Sequence, residues 1–233
     1  MMLLNGNCLE LLEDLPDASV DMVLTDPPYG TTACKWDTVI PFEPMWKELK
    51  RVTKPNSAIL LFSKQPFTTA LNASNLKDLK QELIWIKDNH DNPMMAKRKH
   101  LNVTENISVF YRAQANYKPQ GIVEINKITK QGRGGSIAQT TQRAKSYLQT
   151  HTNYPNNVLK FNRDRPQVHP TQKPVALLEY LIKTYTNEGD TVLDFTMGSG
   201  STGVAAKNLN RKFVGIELSE EYFEIARKRI NNG

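Results

Sequence analysis

A short proline-rich run, Thr25-Asp26-Pro27-Pro28-Tyr29-Gly30, has residue types that could activate a planar amine. The lone pair of such an amine is delocalised into its ring, which makes the nitrogen a poor nucleophile. The Asp26 carboxylate and the Pro27 carbonyl are two acceptors that could draw the amine hydrogens out of plane and localise that lone pair. Tyr29 offers a flat face on which a planar ring can stack. The run therefore predicts a site that positions an amine for attack on a reactive group.

A glycine-containing run near the C-terminal end has the pattern of a nucleotide-type loop. Asp194 ends a predicted strand, and Met197-Gly198-Ser199-Gly200 leads from it toward a helix. Glycines in such a turn let the backbone approach a ligand closely, and an acid at the end of the next strand, here Glu217, can hold the two hydroxyls of a ribose. Either run, taken alone, is also compatible with an ordinary turn.

Both runs lie where a strand is predicted to end. A strand over residues 20–24 stops at the two prolines, which cannot continue a central strand. Helical spacing of apolar residues predicts helices over 41–52 and 175–185, and Lys54-Pro55-Asn56 is predicted to end the first of these helices. Further strands are predicted over residues 57–62, 82–87, 107–112, 191–195 and 212–218. This alternation predicts an α/β fold with a mostly parallel sheet and helices on both faces.

Residues 112–168 differ from the rest of the chain in composition. They contain ten Lys and Arg but only Glu124 and Asp164 as acids, while the whole chain has a net charge of +6. A basic surface attracts polyanions, although a solvated lysine-rich loop would have the same composition. We expect little regular structure there. We therefore divide the chain into 1–111 with the proline-rich run, an insertion over 112–168, and 169–233 with the glycine run.

Composition and segment lengths exclude several classes of protein. The 233 residues are 39% hydrophobic and 23% charged, as in ordinary soluble domains. The apolar runs are too short to cross a membrane, and the N-terminal residues do not resemble a signal peptide. Cys8 and Cys34 give no disulfide framework, and the four histidines lack the spacing of metal ligands. We expect a cytoplasmic protein without a bound metal.

Three motifs together resemble the beta group of amino DNA methyltransferases. Asp26-Pro27-Pro28-Tyr29 resembles their catalytic motif, and residues 194–200 resemble their S-adenosylmethionine loop. His169-Pro170-Thr171-Gln172-Lys173-Pro174 resembles a third signature, which precedes that loop and helps to bind the methionine end of the cofactor. The order of catalytic motif, variable basic region and cofactor motifs is typical of this group. The similarity extends over essentially the whole chain except 112–168.

The resemblance implies a site-specific enzyme that methylates the exocyclic amino group of a base flipped out of double-stranded DNA, with S-adenosylmethionine as the methyl donor. It implies a Rossmann-like fold with a mostly parallel seven-stranded sheet and an inserted target-recognition region. The implied catalytic residues are Asp26, Pro27, Pro28 and Tyr29. The implied cofactor-binding residues are Asp194, Phe195, Gly198, Gly200, Glu217, Thr171 and Lys173. The candidate DNA contacts in the insertion are Lys127, Lys130, Arg133, Arg143 and Lys145.

Several alternatives stay open at the level of the sequence. Relatives that act on cytosine more often carry Ser where this chain has Asp26, so N6 of adenine is favoured over N4 of cytosine. The basic insertion and the motif order disfavour an RNA or protein-amide methyltransferase, and the intact motifs disfavour an inactive DNA-binding module. Relatives often carry Gly-Asp where this chain has Gly6-Asn7, so Asn7 could contact the cofactor but not as an anion. The DNA recognition sequence and the choice between monomer and homodimer do not follow from the sequence.

Overall fold

The computed structural model describes residues 1–32, 37–91, 93–130, 146–165 and 172–232. The chain divides into unit 1, comprising Met1–Lys118 and Asn157–Gly233, and unit 2, comprising Pro119–Asn156. In these described ranges, no helix has the length and apolar character needed to span a membrane.

Unit 1 consists of a sheet with helices on both faces. Its strands are β1 (Met2–Asn5), β2 (Val20–Thr25), β3 (Thr53–Ser63), β4 (Leu79–Ile86), β5 (Thr104–Phe110), β8 (Val158–Lys160), β9 (Thr191–Asp194) and β10 (Lys212–Glu217). Its helices are α1 (Cys8–Glu13), α2 (Phe42–Val52), α3 (Phe67–Ser74), α4 (Val175–Tyr185), α5 (Ser201–Asn208) and α6 (Glu220–Asn232). The strands β6 (Val123–Lys130) and β7 (Ser146–Thr152) belong to unit 2.

The strand order in the sheet of unit 1 is β1-β10-β9-β2-β3-β5-β4-β8. Among its described strands, only β5 runs antiparallel to its neighbours. The mostly parallel, Rossmann-like α/β fold is thus confirmed, but the prediction of seven strands was wrong, because the described residues alone form eight strands of this sheet. Two strands of this sheet were not predicted from the sequence: β1, which pairs with β10, and the three-residue β8, which pairs with β4 inside a segment expected to be irregular. Three residues are too few for an apolar periodicity to mark a strand.

Alternate residues of the central strands pack on opposite faces of the sheet, since successive side chains of a strand point in opposite directions. Met22 and Leu24 belong to a core with α4, α5 and α6, whereas Val23 belongs to a second core with α1, α2 and α3. Because both faces are covered, β2 is buried along most of its length. The loops that follow the parallel strands therefore remain as the place for a ligand.

The helix α2 ends at Val52, in agreement with the predicted end of this helix before residues 54–56, and β3 then begins at Thr53 and runs through Pro55. The pairing of β3 with β2 shifts register between Val20 and Met22, and this irregularity accommodates the proline. The helix predicted over residues 175–185 matches α4 in both of its ends.

Unit 2 is described as an antiparallel pair of strands, in which Lys127 lies opposite Gln149 and Ile128 opposite Leu148. The expectation of little regular structure was therefore wrong for these residues, and residues 131–145 lie outside the described part. The division at 112 and 168 remains a prediction. Unit 2, over Pro119–Asn156, is shorter than that segment. Arg112 belongs to unit 1, where its side chain donates to the Thr53 carbonyl at 2.7 Å.

Candidate active site

The two motifs meet because β2 and β9 are neighbours in the sheet. The Thr25 hydroxyl, at the end of β2, donates to the Asp194 carboxylate at 2.6 Å and lies 2.6 Å from the Thr196 hydroxyl. The Thr196 hydroxyl in turn donates to the backbone carbonyl of Asp26 at 3.2 Å. Two loops that are far apart in sequence are thus joined side by side.

A cavity of about 310 Å³ opens between these loops. The implied site residues that line it are Asp26, Pro27, Pro28, Tyr29, Lys173, Asp194, Phe195, Gly198 and Glu217. Gly200 lies behind the loop against α6, and Thr171 falls outside the described residues. Lys127 is exposed on β6 of unit 2, the side chain of Lys130 is not described, and Arg133, Arg143 and Lys145 lie outside the described residues.

The Asp26 carboxylate accepts a hydrogen bond on each of its oxygens. The Tyr29 hydroxyl donates to Oδ1, and the Lys173 ammonium donates to Oδ2. Burial raises the pKa of Asp26, the nearby Lys173 charge works against that rise, and the Glu105 charge adds to it. Lys173, predicted from the sequence to bind the cofactor, is thus held at the Asp26 carboxylate.

The Tyr29 ring is fixed on one side by Phe67, with the ring centroids 5.1 Å apart and the planes inclined by 25°. Burial and the neighbouring Asp26 carboxylate raise the pKa of Tyr29 well above its ordinary value. The phenol therefore stays protonated and donates to Asp26 rather than competing with it as an anion.

The proline-rich loop continues into a turn organised by Asp37, which the sequence did not mark. Its carboxylate accepts the backbone N–H groups of Tyr29 at 2.7 Å, Gly30 at 2.8 Å, Thr31 at 2.9 Å and Thr32 at 2.7 Å. Burial works to raise the pKa of Asp37, but the hydrogen bonds outweigh it and hold the pKa below its ordinary value. Asp37 thus stays ionised and fixes the loop that carries Tyr29.

Glycine is required at two positions of the second loop for different reasons. Gly200 has φ +80°, and a Cβ there would lie 2.9 Å from the Cβ of Ala226 on α6. Gly198 has φ +51°, and a Cβ there would meet nothing within 4 Å, so its backbone faces open space. Its N–H donates to Glu217 at 2.8 Å, and the other Glu217 oxygen accepts the Ser219 N–H at 2.9 Å.

Asp194 is buried at the end of β9, where it lines the cavity. Burial raises its pKa to about 6, although hydrogen bonds from Thr202, Thr25 and the Thr196 backbone act in the opposite direction. A buried carboxylate of this kind favours a cationic partner, which would stabilise its ionised form. The arrangement therefore suits a ligand that carries an ammonium group.

Two further residues of the cavity wall are Asn7 and Cys8. Asn7 caps α1, and its side-chain oxygen accepts the Leu9 N–H at 3.0 Å. Burial raises the pKa of Cys8 to about 11, so this cysteine remains a thiol and not a nucleophilic thiolate. Among the described residues, no group of three or more His, Cys, Asp or Glu side chains could hold a metal ion.

A row of alternating charges extends from Asp26 into the sheet, and the sequence did not reveal it. Lys173 lies 3.3 Å from Glu105, and Glu105 lies 3.1 Å from Lys87. Lys87 lies 2.7 Å from Asp91, which also pairs with Lys64. These residues come from separate strands and loops, and the sequence placed only Lys87 at the end of a predicted strand, with Glu105 in the polar segment before the next one.

Comparisons with known proteins agree with this geometry. A model of the N6/N4 DNA methylase family matches residues 20–228. The chain is 31% identical to the DNA adenine methyltransferase YhdJ of Escherichia coli (strain K12), over 98% of this chain and 82% of that protein. It is also 31% identical to the type II methyltransferase M2.LlaDCHI of Lactococcus lactis subsp. cremoris, over 99% and 89%.

Among solved structures, the M1.HpyAVI–SAM complex aligns with a TM-score of 0.69 and 27% identity, covering 99% of this chain and 98% of that one. The family match includes both strand ends that form the cavity, and it covers far more than half of the sequence. The chain belongs to the N6/N4 DNA methylase family.

Proposed function

We propose that this protein transfers a methyl group from S-adenosylmethionine to an exocyclic amino group of a base in double-stranded DNA, N6 of adenine. The observation that carries the proposal is the cavity into which both the Asp26 loop and the glycine loop open. The adenine methyltransferase among the relatives supports the choice of base.

The residues around Asp26 suit activation of a planar amine. The bound cofactor would supply a methyl group on a sulfonium, which passes to the amine nitrogen while the electron pair of the broken bond stays on sulfur. The Asp26 carboxylate and the Pro27 carbonyl would accept the two amine hydrogens and localise the lone pair, and Pro28 would stiffen the loop. The amine gives up one proton, which Asp26 can accept and pass to solvent. The Tyr29 face opposite Phe67 would stack on the base.

The residues around Asp194 and Glu217 fit the cofactor. The Asp194 carboxylate suits the ammonium of the methionine end, and the open backbone at Gly198 leaves space beside it. Each Glu217 oxygen accepts one backbone N–H, and a carboxylate oxygen can accept a second donor from a ribose hydroxyl. Phe195 lines the same cavity, Gly200 gives the turn its shape, and Thr171 and Lys173 remain predicted cofactor contacts.

Unit 2 would form the main part of a target-recognition region for DNA. Lys127 is exposed on β6, as phosphate binding requires, and Lys130, Arg133, Arg143 and Lys145 remain predicted contacts. A homodimer and a cytoplasmic location likewise remain predictions, which light scattering and cell fractionation would test.

The test is methyl transfer from labelled S-adenosylmethionine to unmethylated duplex DNA, followed by digestion and identification of the modified nucleoside. We expect N6-methyladenine. N4-methylcytosine alone would overturn the choice of base, and transfer to RNA or protein without transfer to DNA would overturn the substrate class.

The Asp26→Ala variant tests the assigned catalytic centre. We expect it to lose methyl transfer and to keep its affinity for S-adenosylmethionine in calorimetry, because Asp26 would contact the base. An equal loss of both properties would contradict the role given to Asp26.

A further inference from the structure

Lys173 lies between two carboxylates of unlike surroundings. Its side chain is 9% exposed, and its ammonium bonds Asp26 Oδ2 while lying 3.3 Å from Glu105 Oε2. Glu105 projects from β5, two strands away from the catalytic loop. A buried ammonium with two anionic neighbours can pair with either of them without becoming an unpaired charge.

Glu105 is held through one carboxylate oxygen, and its other oxygen faces Lys173. Its Oε1 accepts from Lys87 at 3.1 Å, and Lys87 is itself held by both oxygens of Asp91 at 2.7 Å. The buried Oε2 atom faces the Lys173 ammonium at 3.3 Å, a longer contact than the one that the ammonium makes with Asp26. A small movement of the ammonium toward this buried oxygen would shorten an existing ion pair, which a buried carboxylate favours strongly.

The salt bridge between Lys173 and Asp26 conflicts with the chemistry proposed for Asp26. Tyr29 already occupies Oδ1 and Lys173 occupies Oδ2. An ammonium bound to a carboxylate weakens that carboxylate as an acceptor for an amine hydrogen and as a base. A nearby acceptor for the ammonium removes the conflict.

We propose that Glu105 is a positioning residue for methyl transfer, which takes over the Lys173 ammonium when the target amine binds to Asp26. This inference rests on the proposed function. The ammonium then keeps a partner at every stage. When Asp26 receives the amine proton and becomes neutral, the pair formed by Lys173 and Glu105 persists, and no isolated charge is left in the buried site.

The pH dependence of Asp26 reports on this arrangement. The ionisable groups that face Asp26 are Tyr29 from its own loop, Lys173 ahead of α4, Glu105 from β5 and Asp194 from β9. Removal of the Glu105 charge leaves Asp26 with the full effect of Lys173, which lowers the pKa of Asp26. The acid limb of the kcat profile should then move to lower pH while the plateau falls.

The matched pair of variants is Glu105→Gln and Glu82→Gln. Glu82 lies on the neighbouring strand β4 and accepts from Asn72 at 3.0 Å and Asn106 at 3.2 Å, outside the charged row. For Glu105→Gln we expect kcat to fall about tenfold or more, with KM for S-adenosylmethionine within about twofold of wild type and the acid limb moved to lower pH. Glu82→Gln should leave kcat and the acid limb unchanged.

The outcomes separate this inference from the proposed function. Methylation of DNA by the wild type, together with an unaltered kcat and acid limb in Glu105→Gln, would overturn the role of Glu105 and leave the function standing. Absence of methylation by the wild type would overturn the function. A crystal structure of the Asp26→Asn variant tests the transfer of the Lys173 ammonium to Glu105. It needs no activity measurement, and it leaves Glu105 unchanged. Lys173 bonded to Glu105 Oε2 supports the transfer, and Lys173 retained on residue 26 overturns it.

Discussion

The turn organised by Asp37 offers a sharp test of how the catalytic loop is held. In Asp37→Asn, the side-chain amide keeps one oxygen but turns an NH₂ group toward the other pair of backbone donors. In the wild type, Asp37 Oδ1 accepts the N–H groups of Tyr29 and Gly30, and Oδ2 accepts those of Thr31 and Thr32. The substitution therefore removes two charge-assisted hydrogen bonds while changing the volume of the side chain very little.

The expected loss in free energy follows from those two hydrogen bonds. A hydrogen bond to a charged group contributes about 1.5–3 kcal/mol, and the lower value applies because Thr31 and Thr32 are exposed and their N–H groups can be hydrated. Two bonds give about 3 kcal/mol, or about a hundredfold in an equilibrium constant. If the loop must be ordered for the base to bind productively, kcat/KM for DNA falls by about that factor.

Steady-state methyl transfer at saturating cofactor measures the loss. The control is Asp17→Asn, since Asp17 is 76% exposed and pairs with Arg51 away from the cavity. Because the pKa of Asp37 is lowered, its four hydrogen bonds to the loop are present at neutral pH. They are lost only as the pH falls through that pKa in the acid range. A kcat/KM within about threefold of wild type would refute the reasoning. A loss of cofactor affinity as large as the loss in kcat/KM would refute it as well.

Two further predictions concern the cofactor and DNA. Since the pKa of Asp194 is raised to about 6 and a cationic amine favours its ionised form, affinity for S-adenosylmethionine should weaken as pH falls below 6. Calorimetry should give a Kd about tenfold higher at pH 5 than at pH 7.5, and Asp194→Asn should abolish that difference. Neutralising the insertion should flatten the dependence of DNA affinity on salt, by about 0.9 in the logarithmic slope for each phosphate that is no longer bound. The residues to neutralise are Lys127, Lys130, Arg133, Arg143 and Lys145. An unchanged slope would show that their side chains do not bind phosphate.

The parts of the site that follow strand ends were predictable from the sequence. Asp26 and Asp194 both come directly after apolar runs, and parallel strands place their carboxyl ends at one edge of a sheet. The meeting of the two loops was implied by the family resemblance, whereas the hydrogen bonds of Thr25 that join them depend on the pairing of β2 with β9. Strand order is not written in local periodicity, which reports only the face that each residue presents.

The residues that support the site from a distance were not predictable. Glu105 lies at the start of β5, and its role depends on a lysine 68 positions away in the sequence reaching it across the sheet. Asp37 is close to Tyr29 in sequence, and an Asp that binds backbone N–H groups is a recognisable turn element. The sequence alone, however, does not show that the four N–H groups it binds belong to the loop that carries Tyr29, eight residues earlier.

The anchoring of residues 119–156 has a consequence for how this protein can change during evolution. On either side of unit 2 the chain is bound into unit 1, since Lys118 N–H donates to the Thr184 carbonyl and Ile84 N–H donates to the Asn157 carbonyl, each at 2.8 Å. Recombination that replaced the intervening segment would leave both attachment points and the methyl-transfer chemistry intact. New DNA sequence preferences could therefore arise by exchange of residues 119–156, while unit 1 and its methyl-transfer site were inherited unchanged.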